Sequence, residues 1–113
     1  MIKLYHNPRC AKSRQGLALL ENSKHEFETI LYLKNPLDKK ELERIIALLG
    51  ISPLALIRKN EAIWKENYKG KTLSDTDIIA AMTAHPKLIE RPIVSNGDKA
   101  VIGRPTERIL EII

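Results

Sequence analysis

Cys10 is the one thiol in a chain of 113 residues. A single cysteine cannot close an internal disulfide or make a Cys-rich zinc site. It is therefore either a small buried filler or a nucleophile, and its surroundings bear on the choice. His6-Asn7-Pro8-Arg9 interrupts the apolar run before it, and residues 11–22 carry apolar side chains at helical spacing. Cys10 thus falls in the turn between a strand and a helix N-terminus. Aligned peptide dipoles there favour an anion, so a thiol at that place is acidified. This matters because an ordinary thiol of pKa ~8.5 is only about 3% ionised at pH 7. Arg9, Lys12 and Arg14 act in the same sense if they face the sulfur. The chemistry expected of Cys10 is nucleophilic attack as a thiolate.

Ser13 completes a Cys-x-x-Ser pattern one turn into the helix. Its hydroxyl either donates to the thiolate or belongs to an ordinary first-turn residue. Serine cannot resolve a mixed disulfide, so a second thiol must come from another molecule. Arg91 and Arg104 each precede a proline. Arg104 is expected at or near the N-cap of the last helix, where a cation costs a few tenths of a kcal/mol. An anion bound between Arg104 and the helix end would remove that conflict. Each arginine alone reads as a solvated surface residue, and only their joint placement points to an oxyanion.

Several chemistries are excluded. A phosphatase loop needs Cys, five residues and Arg, but Gly16 stands at that position. No Gly-x4-Gly-Lys-Ser/Thr phosphate loop occurs. His6, His25 and His85 have no ligand spacing with Cys10, so no metal is expected. The net charge of +5 suits an anionic partner. Without a long basic block or aromatic-interleaved basic stretch, nucleic acid is not expected to be that partner. No apolar run approaches the ~20 residues of a membrane span, and no secretory leader is read at the N-terminus. The expectation is a cytoplasmic monomer that does not touch a membrane.

The elements that must position these residues follow from periodicity. Residues 2–5 read as a buried strand and 11–22 as a helix with Leu17, Ala18 and Leu20 inward. Residues 26–33 alternate as a second strand. Asp38 and Glu41 form a capping pattern before a helix that carries Leu42, Ile45, Ile46 and Leu49 and stops at Gly50. Pro53 opens a short middle helix bearing Leu54, Ile57 and Arg58, residues 61–68 continue helically, and Ser74 with Asp77 caps another helix. Two short strands, 92–95 and 99–102, flank Asn96-Gly97-Asp98, a hairpin pattern. Pro105 opens a final helix with Ile109, Leu110 and Ile113. The order β-α-β, helices, β-β-α is that of an α/β thioredoxin-like fold: a mixed four-stranded sheet with an inserted helical segment, here one domain over 1–113. In such folds a cis-proline at the place of Pro92 faces the active cysteine.

The residues around these positions resemble a known family. His6-Asn7-Pro8-Arg9-Cys10-Ala11-Lys12-Ser13-Arg14 resembles the active-site pattern of the glutaredoxin-dependent arsenate reductases. Leu56-Ile57-Arg58-Lys59-Asn60 is similar to that family's middle arginine region, and Glu90-Arg91-Pro92-Ile93-Val94 and Ile102-Gly103-Arg104-Pro105 to its two C-terminal arginine motifs. The resemblance implies that Cys10 attacks arsenate and that Arg58, Arg91 and Arg104 clamp the oxyanion, with His6, Asn7, Ser13 and Arg14 in support. It also implies glutathione as co-substrate, glutaredoxin as partner and no bound cofactor. His6 would keep Cys10 ionised directly or through the turn, or else simply cap the strand. Two rival readings share the fold. One is a redox-responsive regulator that binds RNA polymerase, whose Cys-x-x-Cys switch is broken here by Ser13. The other is a glutathione-dependent thiol reductase with a different substrate.

Overall fold

Ile2 and Leu4 lie two residues apart in an extended run and so point to the same side of a strand. In the computed structural model, which describes residues 1–113, both are buried in the core of a mixed sheet. The chain divides into two compact units, one of Met1–Asn35 with Arg91–Ile113, the other of Pro36–Glu90. The first holds β1 (Ile2–Tyr5), α1 (Ala11–Ser23), β2 (Phe27–Ile30), β3 (Ile93–Asn96), β4 (Lys99–Ile102) and a 3₁₀ helix at Thr106–Glu111. Its sheet has the order β2-β1-β3-β4. β1 and β2 are parallel because α1 crosses between them, and the other pairs are antiparallel. This is the thioredoxin-like arrangement expected, with residues 36–90 inserted between β2 and β3.

The register sets the core. Leu4 pairs with Val94 and Val94 with Val101, so a row of aliphatic side chains runs across three strands. Leu20 from α1 and Ile109 from the terminal 3₁₀ helix close over it. Burial of each such side chain contributes ~1.5–3 kcal/mol. The inner stripe of α1 is Ser13, Gly16 and Leu20, with Leu17 half-buried; Ala18, expected inside, is exposed. The reason is a close approach at Gly16, where a Cβ would stand 3.2 Å from Pro92 Cγ and 3.3 Å from Ile109 Cδ1. Turning that face inward carries Ala18 away from the core.

Gly103 touches the same two side chains more tightly: an added Cβ would meet Pro92 Cγ at 3.0 Å and Ile109 Cδ1 at 3.2 Å. Its N–H also donates to the Pro92 carbonyl at 2.8 Å. Gly103→Ala is expected to destabilise the fold by about 1–3 kcal/mol through overpacking. Urea denaturation measures this, and an unchanged midpoint would show that Pro92 and Ile109 yield freely.

Two expected elements are shorter than their sequence patterns. β2 ends at Ile30 rather than residue 33, since its only partner, β1, ends at Tyr5. The His6 N–H makes the last bond to Ile30, and the Leu31 carbonyl then turns the chain by accepting from Lys34 and Asn35. The last helix is a 3₁₀ segment in which Ile109 is buried and Leu110 is exposed. Beyond the end of that helix, Ile112 and Ile113 both pack half-buried against the core. The hairpin forms, but with Gly97-Asp98 as its two central residues, since Asn96 pairs with Lys99. Gly97 alone has a positive φ, 62°, so the loop follows the pattern with glycine at its first central position.

In the second unit α2 (Lys39–Leu49) begins at Asp38, whose carboxylate accepts the Glu41 N–H, and ends at left-handed Gly50. The Glu41 side chain pairs with Arg44 at 2.6 Å. α3 (Ala62–Asn67) follows, and α4 (Asp75–Ala84) starts with a full capping box of Ser74 and Asp77. The middle helix expected to bear Arg58 is a 3₁₀ turn, Pro53–Leu56. Ile57 and Arg58 lie beyond it on chain that runs antiparallel to residues 88–90: Ile57 bridges Ile89, and the Arg58 N–H donates to Leu88 at 2.7 Å. Pairing with that segment wins over helix extension because it satisfies backbone groups on both sides, the Glu90 N–H donating to Leu56 in return. No helix is long and apolar enough to cross a membrane.

Candidate active site

The turn after β1 is held by polar side chains that the sequence groups within nine residues. Asn7 accepts the Cys10 N–H at its carbonyl (3.0 Å) and the Arg9 N–H at its Oδ1 (3.0 Å). Cys10 thereby takes the extended backbone of an N-cap, φ −95° and ψ 123°, and α1 starts at the next residue. Ser13 is wholly buried; its Oγ accepts the Asn7 N–H at 3.0 Å and lies 2.7 Å from His6 Nδ1. Arg14 Nη1 donates to the Pro8 carbonyl at 2.9 Å. The four supporting residues read from the sequence therefore all converge on this turn.

Ser13 takes neither of the two roles open to it in the sequence. Its hydroxyl is directed at His6 and Asn7, and its backbone N–H is what bonds the sulfur. The cause is its place three residues after the cap, where side chains reach back over the entering chain. His6 thus acts on the turn through Ser13. Burial, and then the charge of Arg14, lower the pKa of His6 below its ordinary value, and its Nδ1 shares a hydrogen bond with the Ser13 hydroxyl. Ser13→Ala leaves the Asn7 N–H without that acceptor in a buried place. It is expected to lower stability by about 1–3 kcal/mol. Ser13→Thr, which keeps the hydroxyl, serves as control in the same denaturation experiment.

Cys10 is 9% exposed. Burial pushes its thiol up, but a hydrogen bond from Arg91, N–H bonds from Ser13 and Lys12, and the Arg91 charge together outweigh it, so the pKa lies below the ordinary thiol value. Arg104 approaches from the same group of loops: its Nη2 lies 3.8 Å from Cys10 Sγ, and its Nε donates to the Arg91 carbonyl at 2.8 Å. Of the nearby cations weighed from sequence, Arg9 and Lys12 have exposed side chains, and Arg14 is committed to Pro8.

Arg104 lies near the N-cap of the last helix, as expected, one residue before it. Pro105 is the N-cap, and the helix is a short 3₁₀ segment. The conflict of cation and helix dipole therefore carries little weight, and what places Arg104 is its bond to Arg91. Both Arg91-Pro92 and Arg104-Pro105 are cis, the first as expected of the fold. The structure thus brings Cys10, Arg91 and Arg104 together. Arg58 belongs to the second unit, where its Nε lies 3.6 Å from Glu61 Oε1.

Gly16 and Gly103 were missed as site residues. They hold Pro92, the residue after Arg91, between them, and Gly103 directly precedes Arg104. A glycine inside a helix costs ~1 kcal/mol relative to alanine, and that cost at Gly16 was the available clue to a packing requirement. The assembled arrangement is a thiol of lowered pKa at a helix N-terminus with two guanidinium groups aimed at its sulfur. It can attack a tetrahedral oxyanion and neutralise the charge on that oxyanion as the new bond forms.

Comparison with known proteins agrees with this geometry. The profile of the ArsC family matches residues 5–112. The chain is 46% identical to the uncharacterized protein YfgD of Escherichia coli strain K12, over 99% of this chain and 96% of that one. It is 45% identical to a Haemophilus influenzae protein named arsenate reductase, over 97% of each. The solved structure titled arsenate reductase from Vibrio cholerae superposes with a TM-score of 0.94 at 46% identity, covering 99% of this chain and 97% of that one.

Proposed function

The chain belongs to the ArsC family, and from that premise we propose that it reduces arsenate to arsenite, with glutathione and glutaredoxin supplying the electrons. The observation that carries the proposal is the convergence of Arg91 and Arg104 on the sulfur of Cys10. Two guanidinium groups beside one ionised sulfur suit a reaction in which that sulfur bonds to the centre of an oxyanion. The names of the relatives supply the identity of that centre, arsenic.

The steps then follow from electron count. The Cys10 thiolate attacks arsenic and an arsenate oxygen leaves as water, with Arg91 and Arg104 holding the remaining oxygens. Reduction from five-valent to three-valent arsenic takes two electrons, hence two thiols converted to a disulfide. This chain retains none after forming the adduct. Glutathione forms a second sulfur–arsenic bond and displaces a hydroxide, which leaves as water with the thiol proton. A glutaredoxin thiolate next takes the glutathione sulfur as a mixed disulfide, and the electron pair of the broken bond stays on arsenic. Hydrolysis of the Cys10–arsenic bond releases arsenite and restores the thiolate. These thiols persist in a reducing compartment, so the cytoplasm is the proposed location.

The test is arsenite production by the purified protein given arsenate, glutathione and glutaredoxin. Turnover that requires both thiol donors supports the proposal. No turnover, with Cys10 still reactive at neutral pH, would remove arsenate as substrate.

A further inference from the structure

A cleft of about 300 Å³ opens beside the active-site turn, between Pro8 and Arg9 on one wall and Leu31, Leu33 and Lys34 on the other. Both walls belong to the first unit and both are fixed. Asn7 and Ser13 brace the first, and the Leu31 carbonyl holds the second by accepting from Lys34 and Asn35 at 3.0 Å each. Arg9 and Lys34 are exposed, neither has an acidic partner, and no acidic residue lines the cleft. Leu33, 39% exposed, adds one of the four large apolar side chains left exposed.

The sheet order gives the cleft its meaning. β2 lies on one side of β1 and β3 on the other, so the turn after β1 has the Leu31–Lys34 wall on its β2 side. Arg91 precedes β3 and Arg104 follows β4, on the opposite flank. A substrate held by the arginines leaves the β2 flank as the approach for the second thiol. The occupant that fits two unpaired cations around an apolar surface is a small peptide thiol carrying more carboxylates than amines, the chemistry of glutathione. An extended tripeptide spans about 10 Å, enough to set carboxylates at Arg9 and Lys34 while its thiol reaches past the turn. We propose that this cleft is the glutathione subsite, with Arg9 and Lys34 as its carboxylate anchors. The inference rests on the proposed use of glutathione and assigns it a place.

The test needs no arsenate. The Cys10 thiolate attacks a disulfide, forming a new S–S bond with one sulfur and expelling the other as a thiolate. Rates are compared for oxidised glutathione and for the uncharged hydroxyethyl disulfide. The uncharged reagent reports the intrinsic reactivity of Cys10, and the ratio of the two rates isolates recognition of the peptide. The Arg9→Glu/Lys34→Glu double variant is expected to lower that ratio about tenfold, on the scale of two reversed surface charge pairs, with the hydroxyethyl disulfide rate kept within about twofold. The control is Lys40→Glu/Lys87→Glu, which makes the same change in net charge at exposed positions of the other unit and is expected to keep the ratio. An unchanged ratio in the cleft variant, or an equal fall in the control, overturns the assignment. Failure of arsenite production leaves this ratio measurable, so the two readings fail separately.

Discussion

Cys10→Ser is expected to make no arsenite above background, a loss of ~10⁴-fold or more, on the scale seen when a covalent nucleophile is removed. The substitution changes one atom, and the side chain makes no capping hydrogen bond of its own, so the fold is expected to survive. Serine fails for a chemical reason: its hydroxyl ionises far less readily than a thiol, and the surroundings of Cys10 lower the thiol pKa further. The same argument fixes a pH profile. Because the folded pKa of Cys10 lies below that of a free thiol, alkylation by iodoacetamide should reach half its plateau rate at a lower pH than a free cysteine does. At pH 7 the folded protein then reacts faster than its urea-unfolded form. Arg91→Ala removes the strongest of the opposing pulls and moves the midpoint up. A wild-type midpoint at or above the free-thiol value would contradict this account of the sulfur.

Arg91→Ala and Arg104→Ala are each expected to lower kcat/KM for arsenate by about 10- to 150-fold. That corresponds to the ~1.5–3 kcal/mol of a hydrogen bond to a charged group. The two should separate by mechanism. Arg91 bonds the sulfur and carries most of the charge felt there, so its loss acts on the thiolate as well as on the oxyanion. Arg104 reaches the sulfur at 3.8 Å and also ties down the Arg91 carbonyl through its Nε. Its removal therefore loosens the segment that positions Arg91, and the double variant should lose less than the product of the two single losses. Lysine at either place keeps one positive charge but cannot keep both bonds of Arg104, so Arg104→Lys should recover only part of the activity. Steady-state kinetics with arsenate varied checks all of these. Unchanged values in both alanine variants would remove the oxyanion clamp.

The helix starts show how local rules survive folding. Ser74 with Asp77 forms the full capping box at α4, and at α2 Asp38 accepts the Glu41 N–H while the Glu41 side chain turns to Arg44; both caps form because a cap needs only groups three residues apart. Cys10 at the N-cap of α1 is of the same kind: a strand, a breaker and an amphipathic run place it there without help from distant residues. The requirement for an external thiol is likewise contained in the count of one cysteine.

Tertiary structure decided whatever depends on a partner far away in the chain. β2 stops where β1 stops, the segment after Pro53–Leu56 leaves its helical course to pair with residues 88–90, and Ala18 yields its inner place to Gly16 because Pro92 and Ile109 press there. Ser13 illustrates the division within one residue. Its type and spacing marked it as part of the site, yet whether its hydroxyl met the sulfur or His6 depended on which partner the folded turn put within 3 Å. The joining of Cys10 to Arg91 and Arg104 is the clearest case. The sequence shows a thiol at a helix start and two Arg-Pro pairs some ninety residues on, and no local energy term links them. The sheet does: β3 pairs with β1 and β4 with β3, so the loops before β3 and after β4 must arrive beside the turn that follows β1. Periodicity and capping act over a few residues and are written in local order, whereas strand pairing acts across the whole chain and exists only once the core has formed.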